Sequence, residues 1–568
     1  MKRSIIILLI LFNSLCSFGI KYYVATTGND SGTGAIGDPW LTWEHIHEHL
    51  TAGDTCYIRG GTYTTHSESA LVQCNWHNMT GTSSDTIKIW AYPGEVPIWS
   101  FAGVTFQQGE RAIIYMNHCD YVWVRGLKIR DASQFNSVSQ TYGWDILNSS
   151  HNKIENCEIS YMTYGFCINN SLYQEGVIVE NSSDNLFLNC DAHHLSDPLS
   201  PTPYGGSNGF NITATGQAPN TTFRGCRAWY CSDDGWDLYN IGAGSAVVTI
   251  DRCWSFWNGY IPGTFTTGGD GSGYKLGPAT TSIPTTLMTK VTNSMAIGNR
   301  QFGFNQNSLV YEGITQYFNN LAYGNLYGWV YWADIGVIDV LKNNIAYGNI
   351  VEETYNISWN DDTYNSWNGG VTVSVADFVS LDTLLLDNAR QSDGSLPVIT
   401  FGHLAAGSDL IGAGIGVGLT YDGDGLYHND PPDLGPFAYN GAEPEPPELP
   451  QISTTAITTY NAYQATVGGN ITSNGGGTVS AAGVCWNTAI NPTTANSKIT
   501  SSAVTGAFSG ILYRTLLPGV TYHVRSYATN ETGTSYGADV SITIPKNTIM
   551  KTGAGKYYKY GKKTLIYK

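Results

Sequence analysis

Two short segments of this chain gather the side chains best suited to chemistry. Ser232-Asp233-Asp234-Gly235-Trp236-Asp237 places three carboxylates close together, and Gly271-Ser272-Gly273-Tyr274-Lys275 ends on a lysine behind another Gly-aromatic pair. Acids held side by side on a rigid frame repel and cannot separate, which costs free energy unless a cation sits among them. Calcium accepts many oxygens at flexible geometry and suits such a surface site better than magnesium. An acidic turn solvated by water is the plain alternative for Asp233, Asp234 and Asp237. For Lys275 the plain alternative is a surface ion pair with Asp237, which contributes little.

A frame that would hold these groups is legible in the repeats around them. Gly165-Phe166-Cys167, Gly209-Phe210-Asn211, Gly235-Trp236-Asp237, Gly273-Tyr274-Lys275, Gly303-Phe304-Asn305 and Gly328-Trp329-Val330 share one pattern. Side chains alternate along a strand. With Phe166, Phe210, Trp236, Tyr274, Phe304 and Trp329 pointing inward as core, the next residues form an exterior row: Cys167, Asn211, Asp237, Lys275, Asn305 and Val330. Coils of a solenoid stack ~4.8 Å apart. Asn208 then falls under Asp234 on the preceding coil, and Ser272 falls on the following one. Asn208 joins the three aspartates as a candidate metal ligand. Asn211, Asn305 and Arg300 are candidate substrate-groove residues.

A second line of repeats runs through Asn156-Cys157, Asn189-Cys190, Gly225-Cys226, Arg252-Cys253, Asn293-Ser294, Asn319-Asn320 and Asn343-Asn344. Its cysteines fit a stacked row of small core residues rather than disulfides. Asn293, Asn319 and Asn343 fit a structural ladder. The fold expected is all-β: a right-handed parallel β-helix followed by a small β-sandwich. A short amphipathic helix around Trp43 to Leu50 would cover the first open strand edge.

The bulk composition agrees. The chain has 568 residues with only 13% charged, 65 Gly, 37 Tyr and 16 Trp, a mixture suited to strands and turns. A net charge of −17 argues against nucleic acid as partner. Residues 1–19 read as a cleaved export signal: Met1-Lys2-Arg3 is basic, Ile5 to Phe12 is apolar and Ser17-Phe18-Gly19 offers a cleavage site. No other segment reads as transmembrane, so a secreted or cell-surface monomer is expected. The β-helix is expected over 20–442, a Pro/Glu linker over 443–451, a sandwich over 452–545 and a basic tail over 546–568. Leu517 to Tyr527 resembles fibronectin type III-like domains, where a tyrosine ties a turn to the next strand. That module is either a sugar binder or a spacer.

The paired motifs around Asp233-Asp234-Gly235-Trp236-Asp237 and Gly273-Tyr274-Lys275 resemble those of polysaccharide lyase family 9, and the likeness runs from about Tyr22 to Tyr439. It includes Tyr23-Val24-Ala25-Thr26-Thr27-Gly28-Asn29-Asp30 and Asp387-Asn388-Ala389-Arg390. The resemblance implies a pectate lyase-like β-helix, with Asp233, Asp234 and Asp237 as Ca2+ ligands and Lys275 as catalytic base. Where this chain has Asn208, the family usually has an aspartate; the change removes one negative charge and should weaken calcium binding. The reaction implied is β-elimination on a pectate-like acidic polysaccharide. Three other readings stand beside it. One is a lyase on another uronate polymer such as rhamnogalacturonan, and another is a non-catalytic β-helix adhesin or carbohydrate binder. The third is a glycoside hydrolase, which needs two opposed carboxylates and no lysine base.

Overall fold

The computed structural model describes residues 19–441, 448–545, 549–551 and 557–559. Outside the description are 65, 67–71, 105–111, 135–141, 170–181, 214–219, 239–246, 277–286, 307–313, 331–338 and 356–360, with short stretches of the C-terminal unit. The expected export signal, most of the linker and most of the basic tail lie outside the described residues. The chain divides into two compact units. The first comprises Met1–Thr383, Gln391–Leu396 and Phe401–Gly441; the second comprises Leu384–Arg390, Pro397–Thr400 and Ala442–Lys568.

The first unit is a β-helix of three parallel sheets, with twelve, ten and ten strands among the described residues. One coil runs through Thr222–Arg224, Arg227–Cys231 and Trp236–Asp237, and the next through Val248–Asp251, Trp254–Phe256 and Ser272–Lys275. The Asn-Cys line marks the corner between the first two strands of each coil. Gly126, Asn156, Asn189, Gly225, Arg252, Asn293, Asn319 and Asn343 occupy that corner with φ from +49° to +79°. Asn and Gly adopt this left-handed conformation at least cost, which is why they recur there. The following residue turns into the core: Cys157, Cys190, Cys226, Cys253, Ser294, Asn320 and Asn344 are all buried. The cysteines are free thiols, as the small-core reading expects.

Buried amides close the backbone accounts at the corners. Asn299 Oδ1 accepts from the Asn258 N–H at 3.1 Å, while its Nδ2 donates to Ser255 O at 3.0 Å. Asn320 and Asn344 repeat the pattern. Each such bond satisfies a backbone group that water cannot reach.

The Gly-aromatic pattern builds the sheet that carries the candidate site. Phe166, Phe210, Trp236, Tyr274, Phe304 and Trp329 are buried and stack ring on ring, with successive centroids 5.2, 4.6, 4.9, 5.0 and 4.8 Å apart. Burying one such ring contributes about 1.5–3 kcal/mol. The glycine before each ring faces the neighbouring sheet. A Cβ on Gly273 would lie 2.7 Å from Gly303 O and 2.8 Å from Asn299 Nδ2, and one on Gly235 would collide with Ser255 Oγ.

Asn293, Asn319 and Asn343 have a second use beyond their corners. Their Nδ2 groups donate to Tyr421 O, to Asp433 O and Gly435 O, and to Ile415 O, fastening the irregular segment that follows the coils. Asn343 also donates to Asn319 Oδ1 at 3.1 Å, so part of the expected ladder is present. Phe378 and Phe401 of that segment pack on Tyr347 and Tyr323 of one ten-stranded sheet. At the N-terminal end the expected helix is a 3-10 turn, Glu44–Glu48. Trp43 and Ile46 are buried there, and Trp76 Nε1 of the strand Val72–His77 donates to Trp43 O at 2.8 Å.

The second unit contains two larger antiparallel sheets and a two-stranded one, Ile549–Lys551 with Tyr557–Lys559. One of the larger sheets holds Gln451–Thr454, Gln464–Ser473 and Gly506–Tyr513; the other is built around Ala481–Asn487 and Thr521–Asn530. Trp486 is in its core, and Tyr522 Oη accepts from the Leu517 N–H at 3.1 Å. No helix among the described residues is long and apolar enough to cross a membrane.

Candidate functional site

The row forms in the register expected, but it is not open to solvent as expected: Asn211, Asn305 and Val330 are buried. Cys167 pairs with Asn211, Asn211 with Asp237, Asp237 with Lys275, Lys275 with Asn305 and Asn305 with Val330. One residue pair earlier, hydrogen bonds from Gly209 N to Asp234 O and from Gly235 N to Ser272 O carry the register past the strand ends. Asn208, Asp234 and Ser272 therefore lie one above another.

Asp234 is fully buried. Its Oδ1 accepts from the Ser272 N–H at 2.6 Å, and its Oδ2 faces Lys275 Nζ at 3.2 Å. Burial pushes the Asp234 carboxyl up to about 6, against the pull of the Lys275 ammonium. Asp233 is also buried, and its Oδ1 accepts from the Asp270 N–H at 2.6 Å. Burial first, and then the neighbouring Asp234, hold the Asp233 carboxyl well above the ordinary range. Asp237 Oδ2 accepts from Asn208 Nδ2 at 3.1 Å.

The Lys275 side chain is 12% exposed, and its ion pair is with Asp234, three residues before its register neighbour Asp237. Asp270 Oδ2 lies 3.9 Å from the same ammonium. Asp234 raises the lysine above its ordinary range and burial opposes it; the carboxylates outweigh the burial.

Asn208 is 3% exposed and spans the cluster: its Oδ1 accepts from the Asp234 N–H at 3.0 Å while its Nδ2 reaches Asp237. Asn305 is buried and donates to Ser272 Oγ at 3.3 Å. Asn211 is buried beside Asp237, and its Oδ1 has no hydrogen-bond partner among the described residues. Arg300 Nη1 donates to Gly269 O at 2.6 Å and to Asp270 O at 3.3 Å, so one arm of its guanidinium holds the loop that leads into Ser272–Lys275.

Asp270 is the neighbour that sequence reasoning missed. It lies in the Gly268-Gly269-Asp270-Gly271 loop, outside any strand repeat, and its carboxylate is 68% exposed. The available signal was an aspartate between glycines just ahead of the lysine motif. Asp197 is a second: it is buried, its Oδ1 accepts from Ser232 Oγ at 3.3 Å, and burial raises its carboxyl.

The residues present suit a hard cation. Two carboxyls are raised, first by burial and then by neighbouring aspartates, and a buried amide oxygen on Asn211 has no donor among the described residues. All the candidate donors are oxygens, which suits calcium. The Lys275 ammonium supplies positive charge to the cluster.

Comparison with known proteins gives a consistent set. The model of the Pel9A-like right-handed β-helix region matches residues 22–365. Pectate lyase L of Dickeya dadantii (strain 3937) is 29% identical over 425 residues, covering 74% of this chain and 90% of that protein. The crystal structure of pectate lyase Pel9A matches with a TM-score of 0.61 at 28% identity, covering 75% of this chain and 97% of that one. A solved rhamnogalacturonan lyase matches with a TM-score of 0.58 at 27% identity, covering 68% and 97%.

Proposed function

Because the chain belongs to the Pel9A-like right-handed β-helix family and is a polysaccharide lyase, we propose that it cleaves a pectate-like acidic polysaccharide by calcium-assisted β-elimination with Lys275 as base. The observation that carries this reading is the row Asn211, Asp237, Lys275, Asn305, with Lys275 Nζ 3.2 Å from the buried Asp234.

Asp233, Asp234 and Asp237 would hold the calcium, with the oxygens of Asn208 and Asn211 as neutral donors. Calcium held by these residues would supply Lewis-acid polarisation of the uronate carboxylate and would offset the aspartate charge that favours the ammonium. Lys275, relieved of that field and still largely buried, is then favoured as the neutral amine. Its Nζ takes the proton from C5 of the uronate, the C5–H electron pair becomes the C4–C5 double bond, and the C4 glycosidic oxygen leaves with the bond's electrons and takes a proton from water. Arg300 and Asn305 are suited to orient the sugar chain, Asn305 from the row itself and Arg300 from beside the Gly268–Gly271 loop.

The second reading is the same chemistry on rhamnogalacturonan, favoured by the solved rhamnogalacturonan lyase and by the neutral Asn208. Both are tested by incubating the full chain with polygalacturonate and with rhamnogalacturonan, with calcium or with chelator, and following ultraviolet absorbance of the unsaturated uronate. Absorbance on one polymer only, lost in chelator, identifies the substrate. Reducing ends without that absorbance would mean hydrolysis and end the lyase mechanism. Export from the cell and a fibronectin type III-like identity for the second unit belong to the same proposal. The apolar segment Ile5 to Phe12 supports the first, and the Tyr522–Leu517 bond beside the buried Trp486 supports the second.

A further inference from the structure

The N-terminal cap carries a cluster that the proposed lyase chemistry does not use. His45, Glu48 and His49 sit on and just after the turn Glu44–Glu48, and each offers a ligand atom within 4.8 Å of the others. Among the described residues this is the one group of three or more His, Cys, Asp or Glu side chains whose ligand atoms lie that close together; Asp233, Asp234 and Asp237 are spaced more widely. His45 Nε2 and His49 Nε2 are 2.9 Å apart. The other nitrogen of His45, Nδ1, faces Glu48 Oε2 at 3.4 Å. Trp40, itself buried, stacks on the His49 ring at 4.7 Å and meets the His45 ring edge-on at 5.2 Å.

We propose that His45 and His49 chelate one divalent late transition-metal ion on the cap, with Glu48 orienting His45 from behind. Imidazole nitrogens bind such ions at about 2.0–2.1 Å. Two nitrogens 2.9 Å apart then subtend about 90° at the ion, the angle of tetragonal nickel and copper sites. A small opening of the pair reaches the tetrahedral angle of zinc. The carboxylate on the far nitrogen of His45 is the arrangement that fixes a ligating imidazole in its metal-binding tautomer. Neighbouring imidazoles also disfavour joint protonation, and burial and His45 both lower His49, leaving its lone pair available. An ion here would tie the turn to its next residue and so fasten the lid on the first coil.

The test is calorimetric titration of the untagged full chain with NiCl2 and with ZnCl2, in saturating calcium so that the aspartate cluster is filled. One equivalent should bind to the parent chain and raise its melting temperature. His45→Gln/His49→Gln should lose both effects, and Glu48→Gln should weaken binding by about 10-fold. His193→Gln/His194→Gln removes a second pair of imidazole nitrogens in close approach, with Nδ1 atoms 2.8 Å apart, and should bind as the parent does. Should the first double variant melt early in chelator, His49→Gln alone is read in its place. Undiminished binding in the His45/His49 variants, loss of binding in the His193/His194 variant, or no binding to the parent chain each overturns the proposal. In any of those outcomes the 2.9 Å approach is a hydrogen bond between neutral rings.

Discussion

Asn208→Asp changes the charge of the candidate site with the least change of shape. In the parent chain Asn208 Oδ1 accepts from the Asp234 N–H, and Nδ2 donates to Asp237 Oδ2 at 3.1 Å. Aspartate keeps the first bond and turns the second into two oxygens facing each other. At an effective dielectric of 20, two unit charges at that distance repel by about 5 kcal/mol, and a hydrogen bond worth roughly 1 kcal/mol is lost. The variant can escape by taking up a proton. Protonating an ordinary aspartate at pH 7 costs about 4 kcal/mol, which caps the penalty. A calcium ion relieves the same repulsion. The expectation is a variant that melts lower than the parent in chelator, recovers more on adding calcium, and binds calcium about tenfold or more tightly. Melting curves with and without calcium, and calorimetric titration of both proteins, read all three. Equal melting in chelator together with unchanged calcium affinity would refute the placement of residue 208 against Asp237.

Lys275→Ala should lower turnover in saturating calcium by ~10²–10⁴-fold, and should melt below the parent in chelator, where the buried Asp234 loses its ion pair, with recovery on adding calcium; near-normal turnover would leave Lys275 as an ion-pair partner only. Asp339 is buried, its carboxyl raised to about 7 by desolvation, and it accepts from the Thr315 N–H and from Gln306 Nε2. A folded-state value above the unfolded one means stability is full below about pH 4 and is lost as pH rises through 7, by up to about 4 kcal/mol. Asp339→Asn, which Gln306 can match by turning its unbonded Oε1 inward, should therefore melt higher than the parent at pH 8 and similarly at pH 4. Equal melting at both values would contradict the buried charge. Gly235→Ala drives a methyl into Ser255 Oγ and should cost about 1–3 kcal/mol in thermal or denaturant unfolding; a neutral result would mean that the coil relaxes freely. A chain ending at Gly441 should keep most activity on soluble polymer, and an inactive but folded truncation would make the second unit part of the enzyme.

The register of the site sheet was legible because its signal is periodic. Each coil repeats a glycine that must clear the neighbouring sheet and a ring that must stack, so Asp237, Lys275, Asn211 and Asn305 could be placed by counting from the ring. The stacking of Asn208 under Asp234 was readable for the same reason. Side-chain reach is a different matter. Register made Asp237 the expected partner of Lys275, but a long flexible side chain can bend along the strand, and its ammonium lies on Asp234. Asp270 was invisible because it rides on a glycine-rich loop whose place depends on Arg300, Asp233 and Ser232 rather than on any repeat. Asn293, Asn319 and Asn343 looked purely structural; their second role requires a segment about a hundred residues away, which no local pattern announces. At the cap, the apolar spacing of Trp43 and Ile46 was readable, while the tighter 3-10 winding was not.

The free cysteines along the β-helix give the molecule a built-in set of clocks. Cys56, Cys74, Cys119, Cys157, Cys190, Cys226, Cys231 and Cys253 are spread from the first coils to the middle of the solenoid, and every one is shut off from solvent. Burial raises their thiols far from the reactive thiolate form, so an alkylating reagent waits for the coil to open. In a solenoid each coil leans only on its neighbours, so opening can begin at an end and travel. The order in which these sulfurs acquire a label, read by peptide mass, would record the direction and pace of that unravelling one coil at a time.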